Sequence, residues 1–115
     1  MAITGAHVLL YSSEAEALRD VFRDVLGWHH VDAGGNWLIF RLPPAELAVH
    51  PAEAPAHQLA FMCDDLDATA GELRAEGVEI PGEPQDAGWG IHLTMVLPGG
   101  VEVMLYQPRH ATAIS

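Results

Sequence analysis

One order of apolar and polar positions runs along this chain twice. Residues 5–11 (Gly-Ala-His-Val-Leu-Leu-Tyr) make an apolar run of strand length. Ser12 and Ser13 follow with N-cap oxygens, and Ser13 has capping-box spacing to Glu16. Leu18, Val21, Phe22 and Val25 then recur at helical spacing, which gives the predicted helix one apolar face, and Gly27 ends it. Residues 28–32 read as a strand, 33–36 (Ala-Gly-Gly-Asn) as a turn and 37–42 as the returning strand of a hairpin. Pro43-Pro44 interrupts, and 45–50 makes a fourth strand.

Residues 51–56 hold two prolines in six positions and read as an extended linker. The order then restarts. A strand covers 57–63, Asp64-Asp65 caps a helix over about 66–76, and Gly77 ends it. A short strand at 78–80, a polar loop at 81–88 and strands at 90–97 and 101–107 follow, the last two joined by the Pro98-Gly99-Gly100 turn. The tail, 108–115, has no periodicity and reads as loose. The period is about fifty residues. The fold predicted is α+β, with two βαβββ modules (5–50 and 57–107) in one domain spanning 1–115. Their curved mixed sheets carry helices on the outer face and leave a concave face for a ligand.

Charge narrows the partners. Sixteen acids stand against five arginines and no lysine, for a formal net charge of −11. Such a field disfavours nucleic acid and anionic membranes, and the missing lysine removes Schiff-base and P-loop chemistry. Acidity serves either solubility or the attraction of cations and amine-bearing ligands. No apolar run is long enough to span a bilayer, no leader pattern opens the sequence, and Cys63 is the single cysteine, so a cytoplasmic location is expected. No Gly-x-Ser-x-Gly, Cys-x-x-Cys, His-Glu-x-x-His or dinucleotide fingerprint occurs.

Four segments carry a resemblance: His-Val-Leu-Leu-Tyr (7–11), Phe-Arg-Asp-Val-Leu-Gly-Trp (22–28), Leu-Ala-Phe-Met-Cys-Asp-Asp-Leu-Asp-Ala-Thr (59–69) and Leu-Pro-Gly-Gly-Val-Glu-Val-Met-Leu-Tyr-Gln-Pro (97–108). Together they resemble the vicinal oxygen chelate superfamily of glyoxalases, bleomycin-resistance proteins and extradiol dioxygenases. The resemblance implies a cleft where enzymes of the family hold one divalent metal, each half giving a His from its first strand and a carboxylate from its last. It also implies a homodimer. His7 matches the first position, and His50 stands near the second. In the second half Gln58 takes the place matching His7, with His57 one residue out of register and so on the opposite face. Met104 takes the last-strand carboxylate place, and Glu102 lies two residues earlier on the same face. An amide and a thioether are poor ligands for Zn, Ni, Mn or Fe.

Two readings follow. The first is a metal-independent binder of a small aromatic, cationic or natural-product ligand, using Trp37, Trp89, Met104, Gln58, His7 and Glu102 for stacking and hydrogen bonding. No bond is made or broken, so this protein would not be an enzyme, and no catalytic residue is assigned. The alternative is a divalent-metal lyase, isomerase or dioxygenase with His7, His50 and Glu102 in the shell. Trp89 stands between two glycines before a strand, where an aromatic suits a cleft mouth, and equally suits closing the core. His92 is a candidate for the cleft lining, and Met62, Met95 and Met104 for one adaptable apolar surface or plain core.

Overall fold

The second half keeps its predicted helix and last two strands, whereas the strand expected over 57–63 shortens to 60–62 and the loop expected over 81–88 contains a two-residue strand. The computed structural model describes residues 2–114. Helix α1 (Ala15–Asp20) runs on as a π-helical turn, Val21–Val25. Strands β1 (His30–Asp32) and β2 (Leu38–Phe40) pair antiparallel. Strand β3 (Ala60–Met62), helix α2 (Leu66–Ala75) and strands β4 (Gln85–Asp86), β5 (Gly90–Leu97) and β6 (Val101–Pro108) complete the chain. The larger sheet has the order β3-β6-β5-β4. It is mixed: β3 runs parallel to β6, whereas β5 is antiparallel to both β4 and β6. A parallel pair needs a crossover, and α2 supplies it. The architecture is therefore α+β.

Local chemistry explains the element ends. The Asp65 carboxylate accepts from the Ala68 N–H at 3.0 Å and caps α2. Gly77, at φ +91°, turns the chain out of α2, and the Val78 N–H returns to the Leu73 carbonyl at 3.0 Å. In α1 the expected Ser13–Glu16 capping box does not form. Instead the Ser12 hydroxyl accepts from the Glu14 N–H at 3.0 Å and donates to the Pro98 carbonyl at 2.7 Å. The Glu14 carboxylate in turn accepts from the Gly99 N–H at 2.8 Å. The start of the first helix is thus tied to the last hairpin. A side chain at Gly99 would collide with Ser12 there, so glycine is required for closeness as well as for its φ of +85°.

One apolar layer lies between helices and sheet. From α2, Leu66, Ala70 and Leu73 are buried. From the sheet, Leu93, Met95, Leu97, Val103 and Leu105 are buried by strict alternation, joined by Leu18 and Phe22 of the first half. Met95 therefore belongs to the core and not to a shared surface with Met62 and Met104.

The first half departs from expectation. Residues 5–11 and 45–50 carry no strand pairing, and among the described residues β1–β2 is the only ladder of that half. Alternation marks a segment as able to extend, but a ladder also needs a partner strand, and neither of these two is paired with one. Their apolar side chains stay in the open: Leu47 is 91% exposed and Val49 90%. The predicted strand 78–80 reduces to one bridge between Glu79 and Val96. The tail is not loose, at least through Ala113. The Arg109 N–H donates to the Trp89 carbonyl at 2.8 Å, and the Ala113 N–H to the Glu46 carboxylate at 2.6 Å. Ser115, at the end of the expected tail, lies outside the described residues.

Candidate functional site

The same alternation that buries one face of the large sheet exposes the other. Opposite the core, β5 presents His92, Thr94 and Val96. Strand β6 presents Glu102, Met104 and Tyr106. Register pairs them as His92 with Tyr106, Thr94 with Met104 and Val96 with Glu102. Ala60 and Met62 of β3 pair with Met104 and Tyr106, so they extend the face by one strand. Gln58 stands two residues before Ala60 and shares its parity.

An aromatic group stands at one end of this face. Trp89 stacks on His92 with ring centroids 5.4 Å apart and planes 9° from parallel. Tyr106 meets Trp89 edge-on at 5.4 Å. The Tyr106 hydroxyl is hydrogen-bonded to His110 Nε2 at 3.2 Å. Trp89 remains 44% exposed, so part of its ring is free to meet a ligand. Its backbone is fixed by Gly90, where a Cβ would come within 2.7 Å of the Gln107 carbonyl oxygen, and by the Arg109–Asp86 ion pair across the adjacent turn at 2.7 Å. Burial and then the nearby Glu46 carboxylate push the Tyr106 phenol above its ordinary pKa, so it stays a neutral hydrogen-bonding group. Glu46 stands near Tyr106, the Arg109–Asp86 ion pair sits beside Trp89, and Glu102 lies toward the other end of the face.

Three of the six ligand-binding candidates therefore share this face, Trp89, Met104 and Glu102, while Gln58 is exposed just before β3. The other two do not join them. Trp37 and His7 line a separate cavity of about 370 Å³ in the first half, between the N-terminal segment, α1 and the β1–β2 hairpin. The structure does not bring the six together in one place. That cavity is lined by Leu18, Phe22 and Phe61 of the apolar layer, so it opens on the core side of the large sheet and not on its open face.

The metal set fares likewise. His7 lines the first-half cavity, His50 is turned to its neighbour's carbonyl with Nδ1 2.7 Å from Pro51 O, and Glu102 lies on β6. Among the described residues no three His, Cys, Asp or Glu side chains converge. The groups at the two second-half positions, Gln58 and Met104, are an amide and a thioether, which do not fit a hard divalent ion. Burial raises the Cys63 thiol pKa, and Asp64 and Asp65 add to that against a hydrogen bond with Thr69, which disfavours the thiolate.

Sequence reasoning missed Tyr106 and His110. Parity with Met104 was the available signal for Tyr106. Nothing local marked His110, which comes to the face only because the tail folds back.

The chain matches the model of the Glyoxalase/Bleomycin resistance protein/Dioxygenase superfamily over residues 5–105. Among solved structures it is similar to TnmS3, an antibiotic binding protein from Streptomyces sp. CB03234, at 26% identity and TM-score 0.63, covering 93% of this chain and 99% of that one. It is also similar to a glyoxalase/bleomycin resistance protein/dioxygenase from Nocardioides (17%, TM-score 0.68, covering 97% and 87%). A lactoylglutathione lyase from Agrobacterium tumefaciens has the same fold (17%, TM-score 0.63, covering 92% and 95%). No curated protein matches.

Proposed function

The chain belongs to the Glyoxalase/Bleomycin resistance protein/Dioxygenase superfamily, and from that premise we propose that it is a metal-independent binder of a planar aromatic antibiotic or natural product. The observation that carries this reading is the open face of the large sheet, where Trp89 is already stacked on His92 and met edge-on by Tyr106, beside Met104. Rings held before the ligand arrives lose little freedom on binding. Glu102 and Glu46 give that face a negative field, which favours a ligand carrying a positive charge. Similarity to an antibiotic binding protein supports the same choice. A lyase or dioxygenase reading would need hard ligands where Gln58 and Met104 stand, and no observation favours it.

The test is a titration of the protein with planar aromatic antibiotics, followed by tryptophan fluorescence. Trp89→Ala is expected to weaken binding by about 1–3 kcal/mol while leaving the fold intact. Equal affinity in the variant removes Trp89, and with it the open face, from the site.

The partner in this reading is a second copy of the chain. Residues 2–11 and 45–50 leave Ile3, Tyr11, Leu47 and Val49 exposed and carry no strand pairing, which is the surface a second copy covers. A homodimer mass by sedimentation equilibrium at micromolar concentration is the expected result, and a monomer mass argues against it. Residues 5–50 and 57–107 act together as one unit joined through 51–56, since Phe22 and Trp28 of one half touch Phe61 of the other. Among the described residues no helix is long and apolar enough to cross a membrane. A cytoplasmic location is part of the proposal, resting on the free thiol of Cys63.

A further inference from the structure

The five arginines are not spread evenly. Three have polar partners. Arg23 pairs with Asp20 and Asp24, Arg109 pairs with Asp86, and Arg74 donates to the carbonyls of Ile80 and Gly82. The remaining two, Arg19 and Arg41, both line the cavity of about 370 Å³ in the first half. Among the described residues neither guanidinium has a hydrogen-bond or ion-pair partner; Glu16, one turn before Arg19, makes none with it. Sixteen acids occur in the chain, yet none lines this cavity. A protein of net charge −11 has thus kept two positive charges, unneutralised, around one hollow.

The walls say what else the occupant needs. Leu18, Phe22, Phe40 and Phe61 form an apolar lining. Trp37 is 56% exposed at the rim, with the Arg19 guanidinium carbon 5.4 Å from its ring centroid. A guanidinium resting on an aromatic face is held in place while its N–H edges stay free to donate. Carboxylates take such edges in pairs, and the bond is strongest where water is scarce. His7 adds a further ring nitrogen to the lining. The volume lies within the range of about 300–1,000 Å³ usual for small-molecule pockets.

We propose that this cavity is a second ligand site, for an apolar aromatic carboxylate whose ring lies against Phe40 and Trp37 and whose carboxylate is held by Arg19 and Arg41. It is separate from the open face of the large sheet and does not rest on the function proposed for that face. The two sites differ in charge: the Glu46 carboxylate stands near Tyr106 at one, and no acid lines the other.

The probes are 2-naphthoate and its uncharged isostere 2-naphthamide, titrated calorimetrically into the full chain at pH 7.5. Naphthoate is expected to bind at least about tenfold more tightly than the amide, the effect of one charge-assisted contact. Arg41→Gln and Arg19→Gln should each remove about that factor, and Arg41→Lys should keep part of it. Both positions are solvent-accessible, and circular dichroism of each of the three variants checks that the fold is retained. The site is located by the tryptophan indole N–H resonances: saturation with naphthoate should shift that of Trp37 and leave that of Trp89 in place. Equal affinity for acid and amide, no binding of naphthoate at millimolar concentration, an unchanged affinity in both glutamine variants, or a shift confined to Trp89 would each overturn the proposal.

Discussion

Phe22→Ala is expected to cost about 3–5 kcal/mol of folding stability, the usual range for emptying a large aromatic site in a core. The reason is the number of elements that meet on this one ring. Phe22 is buried on the π-helical turn after α1. It stacks on Trp28 at 5.4 Å, tilts against Phe40 of the hairpin at 5.6 Å and meets Phe61 of β3 edge-on at 6.4 Å. Trp28 closes the group by meeting Phe61 at 5.3 Å. Helix, hairpin and the large sheet therefore share one aromatic cluster, and the first half has little else to hold it. Two of its expected strands are unpaired, so collapse of the surroundings into the vacancy has no ladder to guide it. The measurement is urea or thermal unfolding beside the parent chain. A fall in melting temperature of more than about 10 °C is expected for a chain of this length. Phe22→Leu, which restores much of the volume, should recover over half of the loss. A fall of less than about 2 °C in the alanine variant would show that the cluster does not join the halves.

The same residues show what a sequence alone reveals. Helix ends were legible because they are local: Gly27 and Gly77 supply the positive φ, and Asp65 caps the helix that begins one residue later. The Pro98-Gly99-Gly100 turn was legible for the same reason, and the Gly100 N–H closes it on the Leu97 carbonyl at 2.9 Å. Contacts between distant segments were not. Ser12 and Glu14 bond to residues some 85 positions away, which no capping pattern announces. Residues 5–11 and 45–50 have strand-like composition, but a ladder is decided by a neighbour and not by composition. At the open face, alternation alone placed Met104 and Glu102 together. Bringing Trp89 and His92 onto Tyr106 needed the β5–β6 register, and bringing His110 needed the returning tail. Trp37 and His7 looked like companions of Trp89 because both halves follow one pattern. Their separation arises from how the halves pack, which the repeat does not encode.

Leu66→Ala is expected to cost about 2–5 kcal/mol, yet to leave ligand binding by the folded protein unchanged. Leu66 is fully buried at the first position of α2. Its backbone N–H is also tied to β6, donating to the Gln107 side-chain oxygen at 3.0 Å, so the helix start cannot easily sink into the space left by a smaller side chain. Relaxation being limited, the loss should fall in the upper half of that range. The open face lies on the other side of the same sheet. Val103 and Leu105 point to Leu66's layer, and Met104 and Tyr106 point away from it. A ligand bound at a hundred times its Kd adds roughly 2.7 kcal/mol to stability, and that increment depends only on affinity for the folded state. Thermal unfolding of the parent chain, Leu66→Ala and Trp89→Ala, each with and without a planar aromatic ligand, separates core from site. The ligand-induced rise should be equal in the parent and Leu66→Ala, although the latter starts from a lower temperature. It should shrink in Trp89→Ala, whose starting temperature stays near that of the parent. A lost rise in Leu66→Ala would mean that the core shapes the face directly, and a loss of stability below about 1 kcal/mol would mean that α2 does not hold the sheet as its packing indicates.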